Sequence, residues 1–215
     1  MRYISNHSSG KMGYAIAETF LRYGAEVFLI SGPVGVQLKH KNLTIVNVSS
    51  ANEMYLACCH FFEIADVAVF AAAVADYRVD KVAEQKIKKN DTSFTIKMVK
   101  NVDIAYEFGQ VKTNSQLSVG FALETNDELK HAIGKLAKKN FDMVVLNSMN
   151  DEKAAFGFDT NKITIIKNDL SEKHFALKNK TEVSEDIVAE ISCILNDKEG
   201  YEESGRVIEY ETMYA

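Results

Sequence analysis

Asn6, Ser8, Ser9, Gly10 and Lys11 fall within one run, Arg2-Tyr3-Ile4-Ser5-Asn6-His7-Ser8-Ser9-Gly10-Lys11-Met12-Gly13, which sets small residues, amides and a cation directly before a helical pattern. Met12, Ile16, Phe20 and Leu21 recur at helical spacing, Gly24 closes the element, and the apolar run Val27-Phe28-Leu29-Ile30 follows. The first N–H groups of such a helix, with the positive end of its dipole, can hold an anion. The same residues also suit an ordinary helix capped by Ser8 or Ser9. A Walker-type phosphate loop is excluded, because it needs Gly where Ser5 stands and a hydroxyl where Met12 stands.

Further runs carry chemistry-bearing residue types. In Ala71-Ala72-Ala73-Val74-Ala75-Asp76-Tyr77-Arg78 an apolar strand ends in small residues, a carboxylate, a phenol and a guanidinium. Small residues let a ligand approach the backbone, and Asp76 could accept from a base or hydroxyl, or help hold a magnesium-phosphate unit. A tightly packed strand with a solvated Asp fits the same letters. Lys86-Ile87-Lys88-Lys89, with Lys97 and Lys100 nearby, is either a solvated face or a flap that brings a lysine over a bound phosphate. Lys135 and Lys139 are neighbours on one helix face. Their repulsion, roughly 0.2 to 0.5 kcal/mol, would be removed by a phosphate between them, but they also complement a negative helix end. Phe121, in Gly120-Phe121-Ala122-Leu123-Glu124-Thr125, could face a ligand's base or belong to the core. Tyr77-Arg78-Val79-Asp80-Lys81 matches the Tyr-x-x-x-Lys pair of short-chain reductases but follows a strand and lacks their upstream serine. The histidines show no metal-ligand spacing with each other or with cysteine.

The elements that must position these residues alternate. Leu43 to Val48 reads as a strand, and Ser50-Ala51-Asn52-Glu53 as a capping box opening a helix through about Phe62. Asp66 to Ala73 is almost continuously apolar after its first residue, as in a central parallel strand covered on both faces. Leu117 to Phe121 and Met143 to Leu146 read as strands around a helix from about Asn126 to Lys139, for which Thr125 and Glu128 would form another capping box. Ile163 to Ile166, a helix near Ser184 to Leu195 and a short strand from Val207 to Thr212 complete the reading. The alternation predicts an α/β, doubly wound, mostly parallel, Rossmann-like sheet that binds ligands at the carboxyl ends of its strands. Tyr77 to Val99 breaks this rhythm and ends in the alternating segment Phe94-Thr95-Ile96-Lys97-Met98, which predicts a β arm or flap. Such a fold normally opens with a strand and a Gly-rich turn, whereas this chain opens almost directly at its first helix. The expectation is a single domain over 1–215, with an arm at about 77–99 and without that first strand and loop.

A chain of 215 residues, 47% hydrophobic and 26% charged, is composed like an ordinary soluble globular protein. A formal charge of -5 argues against a general nucleic-acid surface. Cys58, Cys59 and Cys193 fit neither a disulfide framework nor a zinc site. With no signal peptide and no apolar run of membrane-spanning length, a cytoplasmic protein without membrane partners is expected.

Taken together, the opening motif, Ala72-Ala73-Val74-Ala75-Asp76-Tyr77, Lys86-Ile87-Lys88-Lys89, Gly120-Phe121-Ala122-x-Glu124-Thr125 and Lys139-Asn140-x-Asp142 resemble phosphopantothenoylcysteine synthetases in order and spacing, from Arg2 to about Ile166. The likeness is greatest to the bacterial form, which is usually fused to a flavin-dependent decarboxylase. The resemblance implies a cytoplasmic ligase of coenzyme A biosynthesis. In that family the carboxylate of 4'-phosphopantothenate attacks the α-phosphate of CTP, pyrophosphate leaves, and the amine of cysteine captures the acyl-cytidylate, releasing CMP. Magnesium accompanies the triphosphate, and eukaryotic relatives use ATP.

By the same resemblance, Asn6 handles the acyl-cytidylate and Lys86 is the essential flap lysine. Ala71, Ala72, Ala73, Asp76, Lys86, Phe121, Lys135 and Lys139, with Val102, Asp103, Ile104 and Ala105, match nucleotide-contacting positions. Asn6, Ser9, Gly10, Ala72 and Ala73 match the phosphopantothenate side. The family implies a homodimer whose acyl site borrows from both subunits, and a higher oligomer where a decarboxylase half is attached. The chain departs from the pattern at Val102, where Pro is usual, at Leu123, where alanine is common, and in the missing Gly-Gly-Thr-type loop. Rival readings are a nicotinamide-dependent reductase, which needs a Gly-x-Gly-x-x-Gly turn not present here, and a non-catalytic nucleotide-binding module.

Overall fold

The computed structural model describes residues 4–83, 85, 95–124, 126–148 and 160–199. Its elements run α1 (Lys11–Arg22), β1 (Val27–Ser31), β2 (Leu43–Asn47), α2 (Ala51–Phe62), β3 (Val67–Phe70), β4 (Tyr77–Val79), β5 (Met98–Lys100), α3 (Ile104–Val111), β6 (Leu117–Glu124), α4 (Glu128–Lys138) and β7 (Met143–Ser148). The short strands β8 (Thr160–Asn161), β9 (Ile163–Lys167), β10 (Glu172–His174) and β11 (Lys178–Asn179) precede a long helix, α5 (Lys180–Glu199).

The main sheet has the order β10-β9-β7-β6-β3. β3, β6 and β7 are parallel, and toward the other end β9 runs antiparallel to both of its neighbours, β7 and β10. Side-chain alternation along its strands explains why helices cover both faces. Leu117, Val119, Met143, Val145 and Ile165 pack with Ile16 of α1 and Val183, Ile187 and Ile191 of α5. Ala122, Val144, Leu146 and Ile166 face the other way, against Ala132 and Leu136 of α4. Val144 and Val145 are both fully buried, as required of a strand covered on two sides. Each such aliphatic side chain contributes about 1.5 to 3 kcal/mol by leaving water. α1 is tied to α5 by the buried bond between Thr19 Oγ1 and Ser184 Oγ at 2.7 Å. β1 and β2 form a separate parallel pair, on which Phe28 stacks against Phe61 of α2.

Local chemistry explains most element ends, and corrects some expectations. Ser50 caps α2 by accepting from Glu53 N at 3.2 Å, while the Glu53 carboxylate takes the N–H of Ser49 rather than that of Ser50. α4 begins after Asp127, a left-handed residue (φ 45°) whose side chain makes no capping bond; Thr125, expected to form a capping box with Glu128, lies outside the described residues. β3 ends at Phe70 rather than Ala73, is half-buried, and among the described residues lies at the end of the five-stranded sheet rather than at its centre. An apolar run reports helices above and below a strand, not neighbours at its sides. β4 pairs antiparallel with β5, at the two ends of the segment expected to form a β arm, and the strand expected over Phe94 to Met98 starts only at Met98. α3 was not foreseen, since its eight residues are too few for a periodic signal. Phe94, and the strand expected over Val207 to Thr212, lie outside the described residues.

Candidate functional site

The loop before α1 approaches the end of β3. Gly10 takes φ 72° as the N-cap of α1, and a Cβ there would also meet Val34 Cγ1 at 2.8 Å, so both backbone and space select glycine. Neither Ser8 nor Ser9 is the cap: Ser8 Oγ accepts from Gly10 N at 3.3 Å, and Gly10 has no side chain with which to bond the first turn. Ser9 is exposed. A Cβ on Gly13, in the first turn, would lie 3.7 Å from Ala71 Cβ. The exposed Asn6 donates from Nδ2 to the carbonyl of Val74 at 3.2 Å, joining residues 68 positions apart.

Beyond Phe70 the chain leaves the ladder, and the carbonyls of Val74, Ala75 and Asp76 take donors from elsewhere. Asn101 supplies two of them: Nδ2 donates to Ala75 O at 2.7 Å, and its backbone N–H to Asp76 O at 2.8 Å. Arg78 donates to Lys100 O at 2.7 Å and to Asn101 Oδ1 at 3.3 Å. Ala71 and Ala73 are half-buried, while Ala72 and the Asp76 carboxylate are exposed at the strand's end.

Asp103 caps α3 by accepting from Tyr106 N at 3.2 Å, and the same oxygen accepts from Lys139 Nζ at 2.9 Å. Val102 is exposed, Ala105 is half-buried, and Ile104 is buried with Phe62 and Phe108, so its side chain serves the core. α3 lies flat on the turn after α4: a Cβ on Gly109 would stand 2.0 Å from the backbone oxygen of Lys139. Lys135 is half-buried one turn before Lys139. Phe121, also half-buried, packs against the core under α1 and α5, whereas α4 covers the opposite face. The structure thus joins Asn6 to the Ala71–Asp76 segment, Asp76 to the 101–105 segment, and Asp103 to Lys139. It does not bring the Phe121 ring to the face that α4 covers. Lys86 lies outside the described residues.

The Lys139-Asn140-x-Asp142 motif has a structural role that spacing did not disclose. Asn140 (φ 51°) donates from Nδ2 to Gly109 O at 2.9 Å. Asp142 is buried and accepts from Lys112 Nζ at 2.6 Å, Lys198 Nζ at 3.0 Å and Ser118 N at 2.7 Å. Burial raises the pKa of this carboxyl, but the bonds from Lys112, Ser118 and Lys198 outweigh it and hold the group below its ordinary value. Asn101 was likewise missed as a site-building residue, and the Arg78 guanidinium, singled out in the sequence, had been given no partner there. The signal available was a lone amide between the end of an alternating strand and the Asp of a helix cap.

The model of the DNA/pantothenate metabolism flavoprotein C-terminal domain matches residues 1–194. The chain belongs to this family. It is 43% identical over 196 residues to a cysteine/cysteine sulfinic acid decarboxylase of an unknown prokaryote, covering 91% of this chain and 55% of that protein. It is 45% identical over 192 residues to the coenzyme A biosynthesis bifunctional protein CoaBC of Haemophilus influenzae, covering 89% of this chain and 47% of that protein. The chain therefore spans about half the length of the curated relatives it matches. Among solved structures, the C-terminal domain of a CoaBC protein superposes with a TM-score of 0.76 at 35% identity, covering 92% of this chain and 88% of that one. A Cab2 mutant in complex with phosphopantothenate-cysteine shares the fold, with a TM-score of 0.74 at 15% identity over 95% of this chain and 83% of that one. Family membership thus agrees with the mixed, mostly parallel α/β sheet seen here.

Proposed function

We propose that this chain is a phosphopantothenate–cysteine ligase unit of coenzyme A biosynthesis. The 4'-phosphopantothenate carboxylate attacks the α-phosphate of CTP and displaces pyrophosphate; the amine of L-cysteine then attacks the acyl carbon, forming the amide and releasing CMP. The observation that carries this reading is the Asn6 to Val74 bond, which sets the motif assigned to the acyl group against the strand end assigned to the nucleotide. The 35% identity to a CoaBC C-terminal domain supports it. So does the product-like ligand named for the Cab2 complex.

In this reaction Asn6 turns its amide from Val74 O to the oxygen on which charge develops, a type of donor worth about 3 to 4 kcal/mol of barrier. Lys86 neutralises charge on the phosphates from the flap, and Asp76, exposed beside the clip made by Asn101, meets the nucleotide. Lys135, Lys139 and Asp103 complete its phosphate side. Among the described residues no three His, Cys, Asp or Glu side chains gather as a metal cage. By the family resemblance Mg2+ would enter with the triphosphate, where its charge would assist departure of pyrophosphate. The exposed apolar residues Tyr77, Val82 and Ile96 on and beside the arm are the surface through which a homodimer forms. Among the described residues no helix is long and apolar enough to cross a membrane.

The test is pyrophosphate release by the full-length protein mixed with Mg2+, 4'-phosphopantothenate, cysteine and either CTP or ATP. Release with CTP well above that with ATP is expected, and no release with either nucleotide overturns the ligase reading. Lys86→Gln is expected to abolish turnover, and Asn6→Asp to stall the reaction at the acyl-cytidylate; unchanged rates refute those roles.

A further inference from the structure

We infer that Asn101 is a positioning residue that fixes the nucleotide-side segment Ala71–Asp76 against the segment 102–105; the inference rests on the ligase reading above. Beyond Phe70 these carbonyls have left the β-ladder, so their position depends on the groups that donate to them. Asn101 is half-buried at the point where β5 ends and the Asp103 cap of α3 begins. Its backbone N–H and its side-chain Nδ2 bond successive carbonyls, Asp76 O at 2.8 Å and Ala75 O at 2.7 Å. A single residue thus grips two consecutive peptide units, and the three residues after Asp76 pair with β5 to close the arm's base.

The orientation of the amide is itself fixed. Arg78 donates to Asn101 Oδ1 at 3.3 Å and to Lys100 O at 2.7 Å, so the oxygen of the amide points at the guanidinium and the nitrogen at Ala75. Only a neutral amide serves both neighbours, since it accepts at one end and donates at the other. A carboxylate would keep the Arg78 contact and set two acceptors against each other at Ala75. Asn101 touches no reacting atom in this scheme; it acts through the backbone on which Ala71, Ala72, Ala73 and Asp76 are mounted. A displacement of about 1 Å in such a support is enough to lower catalytic efficiency by an order of magnitude or more.

The experiment uses the full-length protein and measures steady-state kinetics of Asn101→Asp with CTP, 4'-phosphopantothenate and cysteine varied in turn, alongside thermal melting. The expected result is a nucleotide KM raised about tenfold with kcat within about threefold of wild type and a nearly unchanged cysteine KM. Should Asn101→Asp fold poorly, Arg78→Met, at an exposed side chain, frees the amide to rotate and is expected to raise the nucleotide KM about threefold at an unchanged melting midpoint. A wild type that turns over while the folded variant keeps its nucleotide KM within twofold overturns this role alone. A lowered melting midpoint with unchanged KM does the same, by making the clip merely structural. A wild type without activity on either nucleotide overturns the ligase reading, and this role with it.

Discussion

Lys139 and Asp142 stand three residues apart in one turn, yet their ion pairs differ in kind. Asp142 meets Lys112 with both side chains below 10% exposed, whereas Lys139 meets Asp103 with side chains 23% and 44% exposed. Desolvation makes the difference. A buried carboxylate deprived of its partners is a large liability, so the Asp142 cluster commits Lys112 and Lys198 to the fold. An exposed pair is worth little and can be exchanged for another anion. In the ligase reading proposed above, the motif joins a fixed anchor to a cation that a phosphate recruits.

The comparison can be broken most forcefully at the anchor. Asp142→Asn leaves two lysines without their charge partner and is expected to destabilise the protein by about 3 kcal/mol in urea unfolding; a loss below 1 kcal/mol would erase the distinction. Gly109→Ala drives a Cβ into the Lys139 carbonyl and is expected to cost about 2 kcal/mol by the same measurement, since backbone cannot yield as a side-chain tip does.

The pH dependence sharpens the contrast. Because the folded-state pKa of Asp142 is held down, its stabilising contribution is present above the unfolded carboxyl pKa of about 3.9 and is lost as pH falls through the lower folded value. The stability gap between wild type and Asp142→Asn should be flat above about pH 5 and narrow below about pH 4. The smallest effect belongs to the exposed pair. Asp103→Asn keeps a good helix cap and should change stability by less than about 1 kcal/mol. Lys139→Met should do likewise while weakening nucleotide binding, as titration calorimetry would register.

Legibility in the sequence followed burial and period. The strands Val27–Ser31 and Met143–Ser148 and the helix opened by Ser50 and Glu53 were found, because apolar runs and capping residues act within a few positions. The cap of α1 was misassigned to serine because a left-handed glycine and a capping hydroxyl leave the same small-residue trace. The placement of β3 was misjudged because lateral neighbours in a sheet come from elsewhere in the chain. Within the site, the resemblance supplied residues one by one, but not the pairing of Lys139 with Asp103, nor the turning of Phe121 toward the α1 and α5 side.

By itself the sequence determined the α/β alternation and the family, since periodicity and ordered motifs are properties of the linear chain. Only the tertiary structure decided that Asn101 grips Ala75 and Asp76, that Asn6 reaches Val74, and that Asp142 gathers Lys112 and Lys198. Those bonds join residues 25 to 68 positions apart, and their worth depends on the water excluded when the elements pack.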